Sequence, residues 1–338
     1  MLPRELYYYC LFHLIFPTSQ CIHHMKFTPL PMLERRQGAH TTPLIFKNQC
    51  PGDIWPAIGT QFGVGPSTQG FKLAPGEERA LAVSQDWQGR AWGRANCSFN
   101  AAGTGPSSGG VGRACESCDC NGQLDCKVGG DNPCTLAEFT LHAGDKQTYY
   151  DISLVDGYNL PMAIVVEPHG DSHLEDIPPN LTNPSCVGTI HLLAPQDFNP
   201  YPTPDAEFLN TNSSYKLPLD VKVNDEQVDT WCPWDLMVNQ PKAPQDGHYD
   251  YPDGKVQRPA FNPCLSACTK YQKPEDCCQG EYNSPSKCPV GEYSKSAKAV
   301  CPDAYSYAFD DQTSTFIIPS GAGFIIIFCP GGRSTNIL

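Results

Sequence analysis

The chain has 338 residues, 40% of them hydrophobic, which is enough apolar material for a real core and rules out a disordered protein. Its net charge of −13, from 36 acidic against 23 basic side chains, repels phosphate backbones and anionic lipid surfaces, which argues against nucleic acid as a partner and suits uncharged polysaccharide. Eighteen cysteines do not suit a reducing cytosol and imply folding in an oxidising compartment, hence secretion.

At the start of the chain, Arg4 precedes an apolar run over 6–16, about as long as a signal h-region and too short to span a bilayer. Glu5 and His13 are poor signal residues, so a mis-assigned start is the alternative reading. Arg35 and Arg36 form a dibasic pair. Processing there removes Cys10 and Cys21 and leaves sixteen cysteines, an even number that favours eight bridges. Residues 1–36 are therefore expected to be a signal or pro-segment.

From Thr42 onward, short β-rich runs alternate with turn clusters: 44–46, 80–83, 90–99, 135–141, 149–155, 162–166 and 315–328, the last interrupted by Pro319-Ser320-Gly321. This spacing, with 33 prolines and 29 glycines, predicts a mostly β sandwich rather than βαβ units, with its core in 37–168 and 302–330. The stretch from His169 to about Val228 is rich in Pro, Asn and Asp without periodicity, and 169–231 is read as an extended surface insertion. Sequons at Asn180 and Asn212 fall in it and are expected glycan sites, whereas the one at Asn96 precedes a cysteine expected to be bridged.

Between Cys232 and Cys301 cysteine density rises and strand signals fade, the pattern of a loop-and-helix subdomain tied by disulfides over 232–301. Cys264, Cys268, Cys277 and Cys278 are close enough to resemble zinc-ligand pairs, but the other cysteines are scattered singly, unlike a compact metal motif. No metal and no organic cofactor is expected. Residues 331–338 are read as a tail.

Treated as strands, 135–141 and 149–155 put successive side chains on opposite faces. Ala137, Phe139 and Leu141 then face the core with Tyr150, Ile152 and Leu154, while Glu138 and Asp151 point away. The short connection over 142–148 suggests a hairpin-like link, which would let the two carboxylates line one surface. Two carboxyl groups across a cleft are the minimum equipment for glycoside hydrolysis. The competing reading is that they only solvate the outer face of the sandwich. Asp156-Gly157 is first a turn signal, and Asp303 after Cys301-Pro302 is equally a turn or cap.

Several stretches together resemble the thaumatin-like family: Gly89-Arg90-Ala91-Trp92-Gly93-Arg94, Asp119-Cys120-Asn121-Gly122, Thr135-Leu136-Ala137-Glu138-Phe139, Asp151-Ile152-Ser153-Leu154-Val155-Asp156-Gly157-Tyr158-Asn159-Leu160-Pro161-Met162, Cys277-Cys278, Cys301-Pro302-Asp303-Ala304-Tyr305-Ser306-Tyr307 and Phe328-Cys329-Pro330. The resemblance implies a two-sheet β-sandwich, a disulfide-rich loop subdomain and a small third lobe, with an acidic cleft between the first two. It matches the cleft's arginine, glutamate and three aspartates to Arg90, Glu138, Asp151, Asp156 and Asp303. It also implies the pairs Cys50 with Cys329, Cys97 with Cys115, Cys120 with Cys126, Cys186 with Cys301, Cys232 with Cys264, Cys268 with Cys277, and Cys278 with Cys288. Cys118 and Cys134 are unusual for the family and are expected to bridge each other. No cysteine lies between Cys301 and Cys329, where the family usually has one, and these departures look more like fungal members than plant ones.

What the resemblance implies for function is a secreted, monomeric protein of the extracellular space or cell wall that binds β-1,3-glucan and hydrolyses it slowly. Glu138 would donate the proton, Asp156 or Asp151 would attack or activate water, and Arg90 and Asp303 would bind and position substrate. A non-catalytic wall-binding or antifungal protein and an inhibitor of glycanases are the alternatives.

Overall fold

Alternation along the first strand sets the architecture: Leu44, Phe46 and Asn48 are buried while the residues between them are not. The computed structural model describes residues 41–106, 112–168, 172–178, 181–186, 232, 236, 238 and 263–330. The expected leader, the tail over 331–338, and the sequons at Asn180 and Asn212 lie outside the described residues.

Ten strands are described: β1 (Thr41–Asn48), β2 (Ala57–Phe62), β3 (Glu78–Ser84), β4 (Gln88–Trp92), β5 (Leu136–Thr140), β6 (Gln147–Ser153), β7 (Met162–Glu167), β8 (Ser185–Cys186), β9 (Phe316–Pro319) and β10 (Gly323–Phe328). They form two five-stranded sheets, ordered β3-β1-β10-β7-β8 and β2-β4-β5-β6-β9. Only β1 and β10 run parallel; the other pairings of named strands are antiparallel. The fold is thus mostly β, as the turn spacing predicts.

Between the sheets lies one core, with Leu44, Phe46, Ile164, Phe324 and Ile326 from the first sheet meeting Ile58, Phe139, Tyr150, Ile152 and Ile318 from the second. Phe324 anchors it, with its ring centroid 5.1 Å from that of Phe139 and 5.2 Å from that of Tyr150. Ala137, Phe139, Leu141, Tyr150, Ile152 and Leu154 all belong to this core, the face the strand alternation assigns them.

Three local readings of the sequence need correction. The run over 90–99 stays a strand only to Trp92, because Arg94 is turned inward, fully buried, and its guanidinium donates to the carbonyls of Trp55, Gln123 and Leu124. That burial brings its pKa down to about 10. The strand Ala57–Phe62 is not foreseen, because Gly59 interrupts its apolar run; that glycine sits where a neighbouring backbone comes close, its carbonyl 2.4 Å from where a Cβ on Gly89 would stand. Finally, part of the stretch read as a surface insertion belongs to the sandwich: Thr182, Asn183 and Ser185 are buried, and β8 pairs with β7. The reason is that Tyr150 reaches across from the other sheet to donate its hydroxyl to the Thr182 carbonyl at 2.5 Å.

Four short helices are described: α1 (Ser172–Glu175), α2 (Ala267–Tyr271), α3 (Glu292–Val300) and α4 (Asp311–Ser314). Eight disulfides join Cys50–Cys329, Cys97–Cys115, Cys118–Cys134, Cys120–Cys126, Cys186–Cys301, Cys232–Cys264, Cys268–Cys277 and Cys278–Cys288. Seven of these are the pairs the resemblance implies and the eighth joins the two unusual cysteines, Cys118 and Cys134; Cys264, Cys268, Cys277 and Cys278 are each disulfide-bonded.

Candidate functional site

Register builds the site. In the antiparallel pairing of β4 with β5, Arg90 stands directly opposite Glu138, and in that of β5 with β6, Glu138 stands directly opposite Asp151. Direct cross-strand partners share a face, with Cβ atoms about 4.5–5.5 Å apart. Arg90, Glu138 and Asp151 therefore form one row across three neighbouring strands, on the face opposite the core. On the far side of Arg90 the row continues to Gly59, which contributes no side chain.

The ends of the row are set by different devices. Beyond Asp151 there is no strand partner, because β9 begins at Phe316 opposite Tyr150. Here α4 leads into β9 and brings Asp311 close enough for its charge to act on Asp151. The backbone of Tyr305 runs beside β6, its amide donating to Ile152 and its carbonyl accepting from Leu154, both at 2.8 Å. Its phenol donates to Asp311 Oδ1 at 2.8 Å and closely contacts the Thr315 hydroxyl.

Directly after β6, Leu154-Val155-Asp156-Gly157 closes a β-turn, with the Gly157 amide donating to the Leu154 carbonyl at 2.9 Å. Gly157 has φ +110°, and a Cβ there would fall 2.5 Å from the Cys264 carbonyl oxygen, so the turn requires glycine. Just beyond it, buried Asn159 exchanges hydrogen bonds with Thr135 and donates to Gly93 and Ser117, which ties the turn to the ends of β4 and β5. The disulfide-rich segment meets the row here: Thr269 donates to the Asp156 carbonyl, Asn132 donates to Thr269, and Tyr293 donates to the Leu154 carbonyl.

Arg90, Glu138, Asp151 and Asp156 are partly buried. Burial pushes all three carboxyls above the usual carboxylate range. The Arg90 guanidinium opposes the shift at Glu138 and at Asp156, helped by a hydrogen bond from Ser153 at Glu138 and from Asn132 at Asp156. For Asp151 burial is joined by the charges of Glu138 and Asp311, so its pKa rises well above the usual range. Asp151 Oδ1 is buried and has no hydrogen-bond partner among the described residues.

Asp303 does not fit the role expected of it. It is only 4% exposed, and its Oδ2 accepts from the Ser185 amide at 3.4 Å, so it packs beside the edge strand of the other sheet rather than facing a ligand. The C-terminal carboxyl that acts on the row is Asp311. Sequence reasoning passes over it because Asp310-Asp311 carries no turn or strand signal; its spacing from Tyr305, which fixes it, becomes visible only once Tyr305 is seen beside β6. Asn132 is missed for a similar reason, since it bonds Asp156 across a long loop. No group of His, Cys, Asp and Glu among the described residues is arranged to hold a metal ion.

Residues 48–330 match the family described as the Thaumatin family. Pathogenesis-related thaumatin-like protein 3.5 of Cryptomeria japonica is 36% identical over 300 residues, covering 87% of this chain and 92% of that protein. Thaumatin-like protein 2 of Prunus persica is 34% identical, with 87% and 92% covered, and pathogenesis-related protein 5 of Arabidopsis thaliana is 33% identical, with 86% and 90% covered. Among solved structures, that of the thaumatin-like xylanase inhibitor TLXI aligns at 30% identity and a TM-score of 0.30, covering 37% of this chain and 77% of that one.

Proposed function

The chain belongs to the thaumatin family, and from that premise we propose that it is a secreted, monomeric protein that binds β-1,3-glucan along the acidic row and cuts it slowly as an endo-glucanase. The observation that carries this reading is the register of Arg90, Glu138 and Asp151 on three adjacent strands, with Asp156 acting on Glu138 and Asp311 on Asp151. A row of partly buried carboxyls whose pKa values are raised, two of them with a neighbouring guanidinium that opposes the rise, suits the pairing of a proton donor with a carboxylate that glycosidic bond cleavage requires. The guanidinium of Arg90 opposes the upward shift at two of them. A net charge of −13 suits an uncharged polymer, and eighteen cysteines support export. Among the described residues no helix is long and apolar enough to cross a membrane.

The test is release of reducing ends from a soluble β-1,3-glucan by the purified protein beside its Glu138→Gln variant, at mildly acidic pH. Loss of release in the variant with glucan binding retained supports an endo-glucanase. Binding without release from the wild-type protein moves the reading to a non-catalytic wall-binding protein. A tight complex with a glycanase that Glu138→Gln leaves intact moves it to an inhibitor.

A further inference from the structure

The carboxyls of the row are not equivalent. Glu138 has Arg90 directly opposite on β4 and a hydrogen bond from Ser153. Asp156 has the same cation within reach and a hydrogen bond from Asn132. Asp151 has neither: the row places it one strand further from Arg90, with a carboxyl on each flank, Glu138 from β5 and Asp311 from α4. The remaining titratable group beside it, Tyr305, is kept as a neutral phenol by burial. Asp310, next to Asp311, is engaged by Lys298 at 3.0 Å and by Ser306, so neither it nor that lysine serves Asp151. An ionised carboxylate with one oxygen buried and unbonded, between two like charges, is unfavourable, and keeping the proton removes that cost.

We propose that Asp151 holds its proton at neutral pH and, resting on the glucan-hydrolase reading above, that it rather than Glu138 protonates the leaving oxygen. Glu138 is the charged partner of Arg90 and, by its own charge, keeps the proton on Asp151. In the reaction the Asp151 proton goes to the glycosidic oxygen as the bond from that oxygen to the anomeric carbon breaks, the bonding pair staying on oxygen. A water oxygen bonds to the anomeric carbon and gives its proton to the Asp156 carboxylate. One water is added across the bond, Asp151 is left as carboxylate and regains a proton from solvent, and Asp156 returns its proton to solvent.

Two measurements on the full mature protein test the two halves separately. The first follows the side-chain carboxyl carbon of Asp151 by NMR in protein labelled at that carbon in aspartate, the resonance being assigned by its loss in Asp151→Asn. It is expected to stay at the protonated position at pH 6, where exposed aspartates have ionised, and Glu138→Gln is expected to lower its midpoint by about one pH unit or more, a tenfold change in proton affinity. Titration of Asp151 together with the exposed aspartates would overturn the assignment. The second compares β-1,3-glucan with an aryl β-glucoside whose dinitrophenolate leaves without protonation. Asp151→Asn is expected to lose about 10²–10⁴-fold on glucan while staying within about tenfold of wild type on the aryl substrate. Equal loss on both substrates, or the split appearing in Glu138→Gln instead, would refute the donor role. If the wild-type protein cleaves neither substrate, the hydrolase reading fails and the donor role with it, while the carbon resonance still decides where the proton sits.

Discussion

Two regions of this molecule are held together in opposite ways. The sandwich is held by burial: Phe46, Phe139, Tyr150 and Phe324 interlock between the sheets, and strand alternation supplies the rest. The segment over 263–290 has little to bury, since neither α2 nor the 3₁₀ turn Gly280–Tyr282 contains a buried residue. It is held instead by Cys232–Cys264, Cys268–Cys277 and Cys278–Cys288. The helix that follows, α3, docks on the core through Tyr293, Ala297 and Val300, while the segment itself touches it at Cys264, Leu265 and Ala267. The difference teaches where unfavourable chemistry can be placed: Glu138 and Asp151 sit on the outer face of strands whose inner face is already secured, and Asp156 in the turn that follows them, beside a segment whose ties are covalent.

The largest effect should come from breaking the first of these regions. Phe324→Ala removes the ring that both Phe139 and Tyr150 pack on and should cost about 3–5 kcal/mol, read as a fall in the denaturant midpoint of the whole domain. Breaking the second should be smaller and local. The double replacement Cys268→Ser with Cys277→Ser opens a tie between residues nine apart and should cost about 2–3 kcal/mol within that segment. Limited proteolysis should then cut within 265–290 while the sandwich stays resistant. Global unfolding in that variant would mean that the sandwich leans on the segment more than its core suggests.

Where the regions meet, Gly157→Ala should cost about 1–3 kcal/mol, because φ +110° is strained for alanine and its Cβ would collide with the Cys264 carbonyl. The diagnostic is that glucan binding, if carried by the row, should weaken at temperatures where the sandwich is still folded.

How much of this was legible in the sequence follows the same division. The strands that pack by alternation could be read directly, and so could the outward placement of Glu138 and Asp151, because a period of two leaves no choice once Phe139 and Ile152 are inside. That the two carboxylates stand opposite each other depends on pairing register, which the short link over 142–148 suggests without fixing. Seven of the disulfides were accessible only through resemblance, since about two million pairings of sixteen cysteines are possible, and the eighth by pairing the two cysteines the resemblance left over. Asp303 and Asp311 show the limit. Both lie in the segment that follows Cys301, and which of them faces the row is decided by the Tyr305 backbone running beside β6, a contact with no local sequence signal.

The effect of pH on stability bears most directly on the row. An acid whose pKa is raised by folding binds its proton more tightly in the folded state, so its contribution to stability is fully present below the unfolded pKa, about 4, and is lost as pH rises through the folded value. For Asp151 the shift is upward, from burial first and then from the charges of Glu138 and Asp311. Asp151→Asn removes the ionisation while keeping the shape of the protonated acid. It should therefore leave stability nearly unchanged near pH 3.5 and raise it at pH 8, where the native side chain is driven towards its charge, by about 1.4 kcal/mol for each unit by which folding lifts its pKa. Asp156→Asn should gain less at the same pH, because Arg90 and Asn132 already stabilise that carboxylate. Denaturant midpoints at the two pH values give both differences, and a loss of stability in Asp151→Asn at pH 8 would mean that the row holds the fold together rather than straining it.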